Sequence, residues 1–131
     1  MTILVDWGNY EETILVWKFS REWQTSHYME ALRQSNSLAL TKAHQVNLIC
    51  DIRMTTQRAS NLMTLSRLVI QYRPANVDVM VIIVVNRFWK QMAEILTHQG
   101  EGLPVPVHFV ETVDAAYALV EEIEEADSGS R

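Results

Sequence analysis

The sequence predicts an α/β fold: a mixed, mainly parallel five-stranded sheet with four helices, in the order ββαβαβαβα. Three observations lead there. Two strand-like segments, Thr2–Trp7 and Thr13–Phe19, flank the turn-forming Gly8-Asn9-Tyr10-Glu11 and read as a β-hairpin. After the hairpin, segments of helical spacing alternate with short branched apolar runs, the pattern of parallel strands joined by crossover helices. Val77–Val85 is so continuously apolar that it suits a strand covered on both faces.

The hairpin carries a heavy apolar load in Trp7, Trp17 and Phe19. From Trp23 the period changes: Trp23, Tyr28, Ala31, Leu32, Ser35, Leu38 and Ala39 fall on one helical face, and that helix is expected to fray near Lys42-Ala43-His44-Gln45. Val46–Ile52 reads as a buried strand. Arg53–Thr56 interrupts it, and Thr55 or Thr56 suits the cap of a helix whose core face is Leu62, Leu65, Leu68 or Val69, and Tyr72. Pro74 closes that helix. Beyond Val85, Asn86-Arg87 leads into a helix bearing Phe88, Met92, Ile95 and Leu96, which ends in the Gly100–Pro106 loop. Val107–Val110 is the last strand. Thr112 caps a final helix running through Val113, Ala116, Leu119, Val120 and Ile123. No repeat or linker divides the chain, so one domain is expected over 1–126, with 127–131 as a frayed acidic tail.

Composition bounds the function. With 131 residues, 48% of them hydrophobic, the chain can bury a core without disulfides or structural metal. Four glycines, three prolines and 21% charged residues exclude disordered and low-complexity classes. The longest strictly apolar run, Val79–Val85, is far short of a membrane span, and Met1–Asp6 has no basic leader, so a cytoplasmic protein is expected. Cys50 is the single cysteine, which excludes an internal disulfide and a cysteine-based zinc site. Net charge is −5 but uneven: residues 53–90 carry six bases against Asp78, and residues 111–131 carry seven acids against Arg131. A basic middle beside an acidic end fits an anion-binding face or self-association, and equally the solvated faces of separate helices. The overall acidity argues against nucleic acid.

Ligands of open α/β sheets gather beyond the carboxyl ends of the strands. Asp51, Asn86 and Glu111 fall there, and with Arg53, Thr55, Thr56 and Arg58 in the neighbouring loop they form a candidate partner- or anion-binding site. Glu111 and Thr112 fit the ordinary polar end of a strand and cap of a helix. No nucleophile elbow, P-loop or dinucleotide glycine motif is present, so no enzyme and no cofactor are expected. Cys50, between Ile49 and Asp51 in an apolar strand, reads as a buried, inert thiol. His98, Glu101 and His108 lack the one-face spacing of helical ligands, so no metal site is expected. Glu121-Glu122 and Glu124-Glu125 read as a solvated helix face. Phe88 and Trp89 are adjacent and cannot share one narrow core stripe, so one widens the buried face or meets a partner. The hairpin is expected at a sheet edge, and an apolar edge strand needs cover that a second copy supplies most simply; a homodimer is therefore expected.

With Val46–Asp51 feeding a polar loop and helix, followed by Val79–Val85, Val107–Val110 and an alanine-rich last helix, the chain resembles the STAS family of anti-sigma-factor antagonists and sulfate-transporter domains. More narrowly it is similar to the SpoIIAA-like branch. In the antagonists an Asp-Leu-Ser-like triplet ends the third strand, and an Asp-Ser-Ser-Gly-like motif at the next helix start carries a phosphorylated serine. Here Asp51-Ile52-Arg53 keeps the Asp, and Ala59-Ser60-Asn61-Leu62 stands where the motif is expected, without its acid and glycine. Ser60 is the possible phosphorylation site that the resemblance implies. The expectation is a non-enzymatic interaction or regulatory domain acting on a protein partner through residues 53–61. The alternative is a carrier or sensor of a small apolar or lipid-like ligand, for which Met29, Met54, Met63, Met80 and Met92 are suitable lining.

Overall fold

Strand pairing organises the molecule. The structure, a computed structural model, describes residues 2–56, 59–84 and 107–129. Its elements are β1 (Ile3–Trp7), β2 (Ile14–Phe19), α1 (Thr25–Leu40), β3 (Val46–Asp51), α2 (Ala59–Tyr72), β4 (Val77–Ile83), β5 (Val107–Val110) and α3 (Val113–Gly129). The sheet order is β1-β2-β3-β4-β5; β1 and β2 are antiparallel and every other pair is parallel. The mixed five-stranded sheet is thus the one expected. The further helix expected around Phe88–Leu96 lies outside the described residues, which hold three helices.

The two-residue alternation of the strands divides the core into two layers. Leu15, Trp17 and Phe19 of β2, Leu48 and Cys50 of β3, and Met80 and Ile82 of β4 face α1 and α2, meeting Tyr28, Ala31, Leu32, Leu65 and Val69. Ile14, Ile49, Val79, Val81 and Ile83 face the other way onto Ala116 and Val120 of α3. β3, with β2 and β4 on either side, is buried at every position. Inside the first layer the Trp17 indole N–H donates to Ser35 Oγ at 2.9 Å, which explains why a serine occupies a buried position of α1.

The hairpin turns on Asn9, whose Oδ1 accepts the N–H groups of Thr13 and Ile14 while its Nδ2 donates to Thr13 Oγ1. Glu12 completes the turn in the left-handed region, at φ 56°. Trp23 lies before α1 rather than on it: the Gln24 N–H donates to His27 Nδ1 and the His27 N–H returns to Gln24 O, starting the helix at Thr25. Tyr72 is not a core residue. As the last residue of α2, where the chain turns off toward Pro74, it is 58% exposed, and Ile70 is buried instead. β4 ends at Ile83, though Val84 stays buried and its N–H donates to Val110 O. α3 continues to Gly129, past Asp127, where the sequence reading began a tail. Among the described residues no helix is long and apolar enough to cross a membrane.

One polar residue sits in the centre of this apolar frame. The β3–β4 register shifts between Val46 and Leu48, and Asn47 at the shift is 2% exposed. Its Oδ1 accepts the Val79 N–H at 3.2 Å and its Nδ2 donates to Glu124 Oε1 of α3. Asn47→Ala leaves that buried N–H without its acceptor, and a loss of about 1–3 kcal/mol is expected in denaturant unfolding. Wild-type stability in this variant would show that the irregularity needs no side-chain acceptor.

Candidate functional site

The polar loop that follows β3 is held from below by aromatic packing. Trp17, Phe19, Trp23 and Tyr28 form one cluster, with Phe19–Trp23 and Trp17–Tyr28 in edge contact at ring-centre distances of 5.4 and 5.5 Å. The outermost ring of the set, Trp23, donates its indole N–H to Thr55 Oγ1 at 2.7 Å. Thr56 is fastened one step further on: its N–H and its hydroxyl both donate to Arg21 O, at 3.0 and 2.9 Å. The Thr55 N–H donates to Ile52 O, closing the turn. Both hydroxyls tie the loop to the segment before α1; residues 57–58, which join the loop to α2 at Ala59, lie outside the described residues.

Asp51 and Arg53 complete the arrangement. Asp51 is 8% exposed at the end of β3. Its Oδ1 accepts from Arg53 Nε at 2.9 Å and from the Arg53 N–H at 3.2 Å, and its Oδ2 accepts from Arg53 Nη2 at 2.8 Å. This is a two-pronged ion pair closed within three residues, the geometry in which guanidinium and carboxylate match best. Burial pushes the Asp51 carboxyl up, but the Arg53 hydrogen bonds and charge, with Lys18 beside it, hold it below its ordinary range. Both carboxylate oxygens are engaged, while Arg53 keeps its Nη1 clear of that pair and its side chain is 37% exposed. Next to it Met54 is 60% exposed.

Asp51, Arg53, Thr55 and Thr56 thus lie together at the end of β3 and in the turn after it, with the threonines in a bracing role. Arg58 and Asn86 lie outside the described residues. Ser60 is the second residue of α2. Thr112 does cap α3, its Oγ1 accepting the Ala115 N–H at 3.0 Å. Cys50 is buried, and burial together with neighbouring Asp51 pushes its thiol well above the ordinary range, away from nucleophile chemistry. No group of three or more His, Cys, Asp or Glu among the described residues could hold a metal ion.

Protein-family models, curated proteins and solved structures yield no significant match to the chain.

The opposite end of the sheet carries a feature that the sequence reading passed over. Asn9, Glu11, Thr13, Ile14, Tyr117, Glu121 and Glu124 line a cavity of about 300 Å³. The Tyr117 hydroxyl donates to Gly8 O at 3.0 Å, and Glu124 is half-buried and bonded to Asn47. Glu124 thus turns toward protein, whereas Glu122 and Glu125 form, with exposed Glu121, the solvated face expected; Glu121 and Glu124 both border the cavity. Their spacing from Tyr117, four and seven residues, was the signal available in the sequence.

Asp51→Asn gives the sharpest check on the ion pair. Because the folded-state carboxyl is held below its unfolded value, its contribution is full above about pH 4 and is lost as pH falls through the folded value. At pH 7 the variant is expected to lose about 1–3 kcal/mol, and the gap from wild type should close in denaturant unfolding below about pH 4. A gap that stays constant down to pH 2 would assign the loss to something other than ionisation of Asp51.

Proposed function

We propose that the chain is a non-enzymatic, STAS-like interaction or regulatory domain that works in the cytoplasm and docks a protein partner through the loop and helix start at 53–61. The observation that carries this reading is the bracing of residues 52–56: an ion pair at one side, Trp23 and the Arg21 carbonyl at the other, and an exposed Met54 between them. A loop fixed in this way loses little conformational freedom on binding, so its side chains act as preorganised contacts. Met54 offers a flexible apolar anchor, and the Nη1 edge of Arg53 offers a donor for a partner carboxylate or carbonyl. Engagement of Asp51 by Arg53 and burial of Cys50 support a recognition surface over a reaction centre. Arg58 adds a second base to the same stretch of sequence, and phosphorylation of Ser60 would add a dianion to that stretch.

The rival reading, a carrier of a small apolar ligand, draws no support from the cavity described above. Three glutamates, an asparagine, a threonine and a tyrosine surround it beside a single aliphatic residue, Ile14, and an apolar ligand needs a predominantly apolar lining.

Met54→Asp and Arg58→Glu test the docking surface. As baits beside the wild type in quantitative affinity capture, both are expected to lose the same specific partner, with affinity reduced at least about tenfold and thermal unfolding unchanged. The same proteins retained equally on all three baits would remove residues 53–61 from the function.

A further inference from the structure

β1 is the outer strand at the hairpin end of the sheet, and among the described residues no strand pairs with its free side. Its pairing with β2 decides which backbone groups point outward. The Gly8 N–H donates to Ile14 O and the Ser20 N–H to Thr2 O, so Thr2, Leu4, Asp6 and Gly8 form the hydrogen-bonded pairs with β2. Antiparallel ladders alternate, so Ile3, Val5 and Trp7 direct their N–H and C=O groups to the open edge. The side chains of these three pack toward the α1 layer, leaving Leu4, 61% exposed, and exposed Asp6 on the other face. No proline, lysine or bulge blunts this edge; its one charge is Asp6.

We propose that β1 pairs antiparallel with β1 of a second copy about a twofold axis at Val5, joining the two sheets into one. The register follows from the residues. With Val5 opposite Val5, all three outward-facing residues find partners, Ile3 of each copy meeting Trp7 of the other. Sliding the copies so that Val5 meets Trp7 sets Asp6 directly against Asp6, a like-charge pair. Sliding them so that Val5 meets Ile3 carries Trp7 beyond the strand of the second copy.

Charge complementarity favours the same arrangement. Lys18 is the β2 neighbour of Leu4. In the Val5-centred register the exposed face reads Lys18, Leu4, Asp6 of the second copy and Val16 of the second copy. Two strand spacings, about 10 Å, separate the Lys18 and Asp6 backbones, which the lysine spans by lying along Leu4; the twofold axis makes this contact twice. In the free chain Asp6 Oδ1 accepts its neighbour's Trp7 N–H at 2.7 Å. In the pair the Ile3 carbonyl of the second copy takes that N–H, and the Asp6 carboxylate is released toward Lys18. A five-residue strand gives a small interface, below about 1,200 Å² in total, which places the dimer in the weak, reversible class.

Sedimentation velocity from about 1 µM to 1 mM tests the pairing. Wild type is expected to pass from monomer to dimer within that range. Leu4→Glu puts a carboxylate beside Lys18 in its own sheet, where it is tolerated, and opposite Asp6 of the second copy, where it repels; the midpoint should rise at least tenfold. Adding Asp6→Lys to Leu4→Glu gives each new acid a new base across the interface, and association should return. Val5→Pro removes an outward N–H that the monomer leaves unused, and it should give monomer with an unchanged fold; if it does not fold, the Leu4 and Asp6 variants decide alone. Wild type that stays monomeric throughout, or a dimer indifferent to Leu4→Glu, overturns the proposal.

Discussion

The burial of four aromatic rings against the carboxyl-terminal half of β2 is the constraint on which the polar end of the molecule depends. Trp17 and Phe19 are fixed by strand alternation, Tyr28 arrives on α1, and Trp23 is drawn over them from the connecting segment. A tryptophan buried to 4% must still satisfy its indole N–H, and Thr55 supplies the acceptor. A packing requirement in the core is thereby converted into the position of a surface loop. The Asp51–Arg53 pair then fixes the other side of that loop, so the exposed Met54 stands between two anchors of different physical kind.

The two ends of the sheet use polar residues differently. At the carboxyl end, hydrogen bonds close within the loop and back to residues 21 and 23, leaving Met54 and part of Arg53 exposed on a braced loop. At the amino end, Asn9, Asn47 and Asn76 do the joining. Asn76 alone gathers the Ala39, Lys42 and His44 carbonyls, finishing α1 where no glycine is present to do so. Asparagine suits this work because one side chain carries both donors and acceptor.

Much of the architecture was legible because it rests on periodicity. Leu15, Trp17 and Phe19 alternate with Val16 and Lys18 of the opposite face, and the apolar run Val79–Ile83 of β4 announced a strand covered on both faces. Legibility failed where a residue's partner lies far along the chain. Thr55 and Thr56 have the chemistry of helix caps, and nothing local reveals that their partners stand 32 and 35 residues earlier. Trp23 matched the helical period by spacing alone. Asn47 drew no attention within the apolar Val46–Ile52 run, since a register shift between two strands leaves no mark in either sequence. Of the candidate site, the residue types at the strand end were readable and their mutual geometry was not.

The position of Asn47 also bears on folding. The Asn9 turn joins strands only a few residues apart, and loops that short close quickly. Asn47 instead links β4, 32 residues on, with α3, 77 residues on. Its bond to Val79 needs β3 and β4 in register, and its bond to Glu124 needs the last helix docked as well. The side chain therefore joins contacts of different reach: protection of the Val79 amide from hydrogen exchange reports the pairing of β3 with β4, while the bond to Glu124 reports the seating of the last helix.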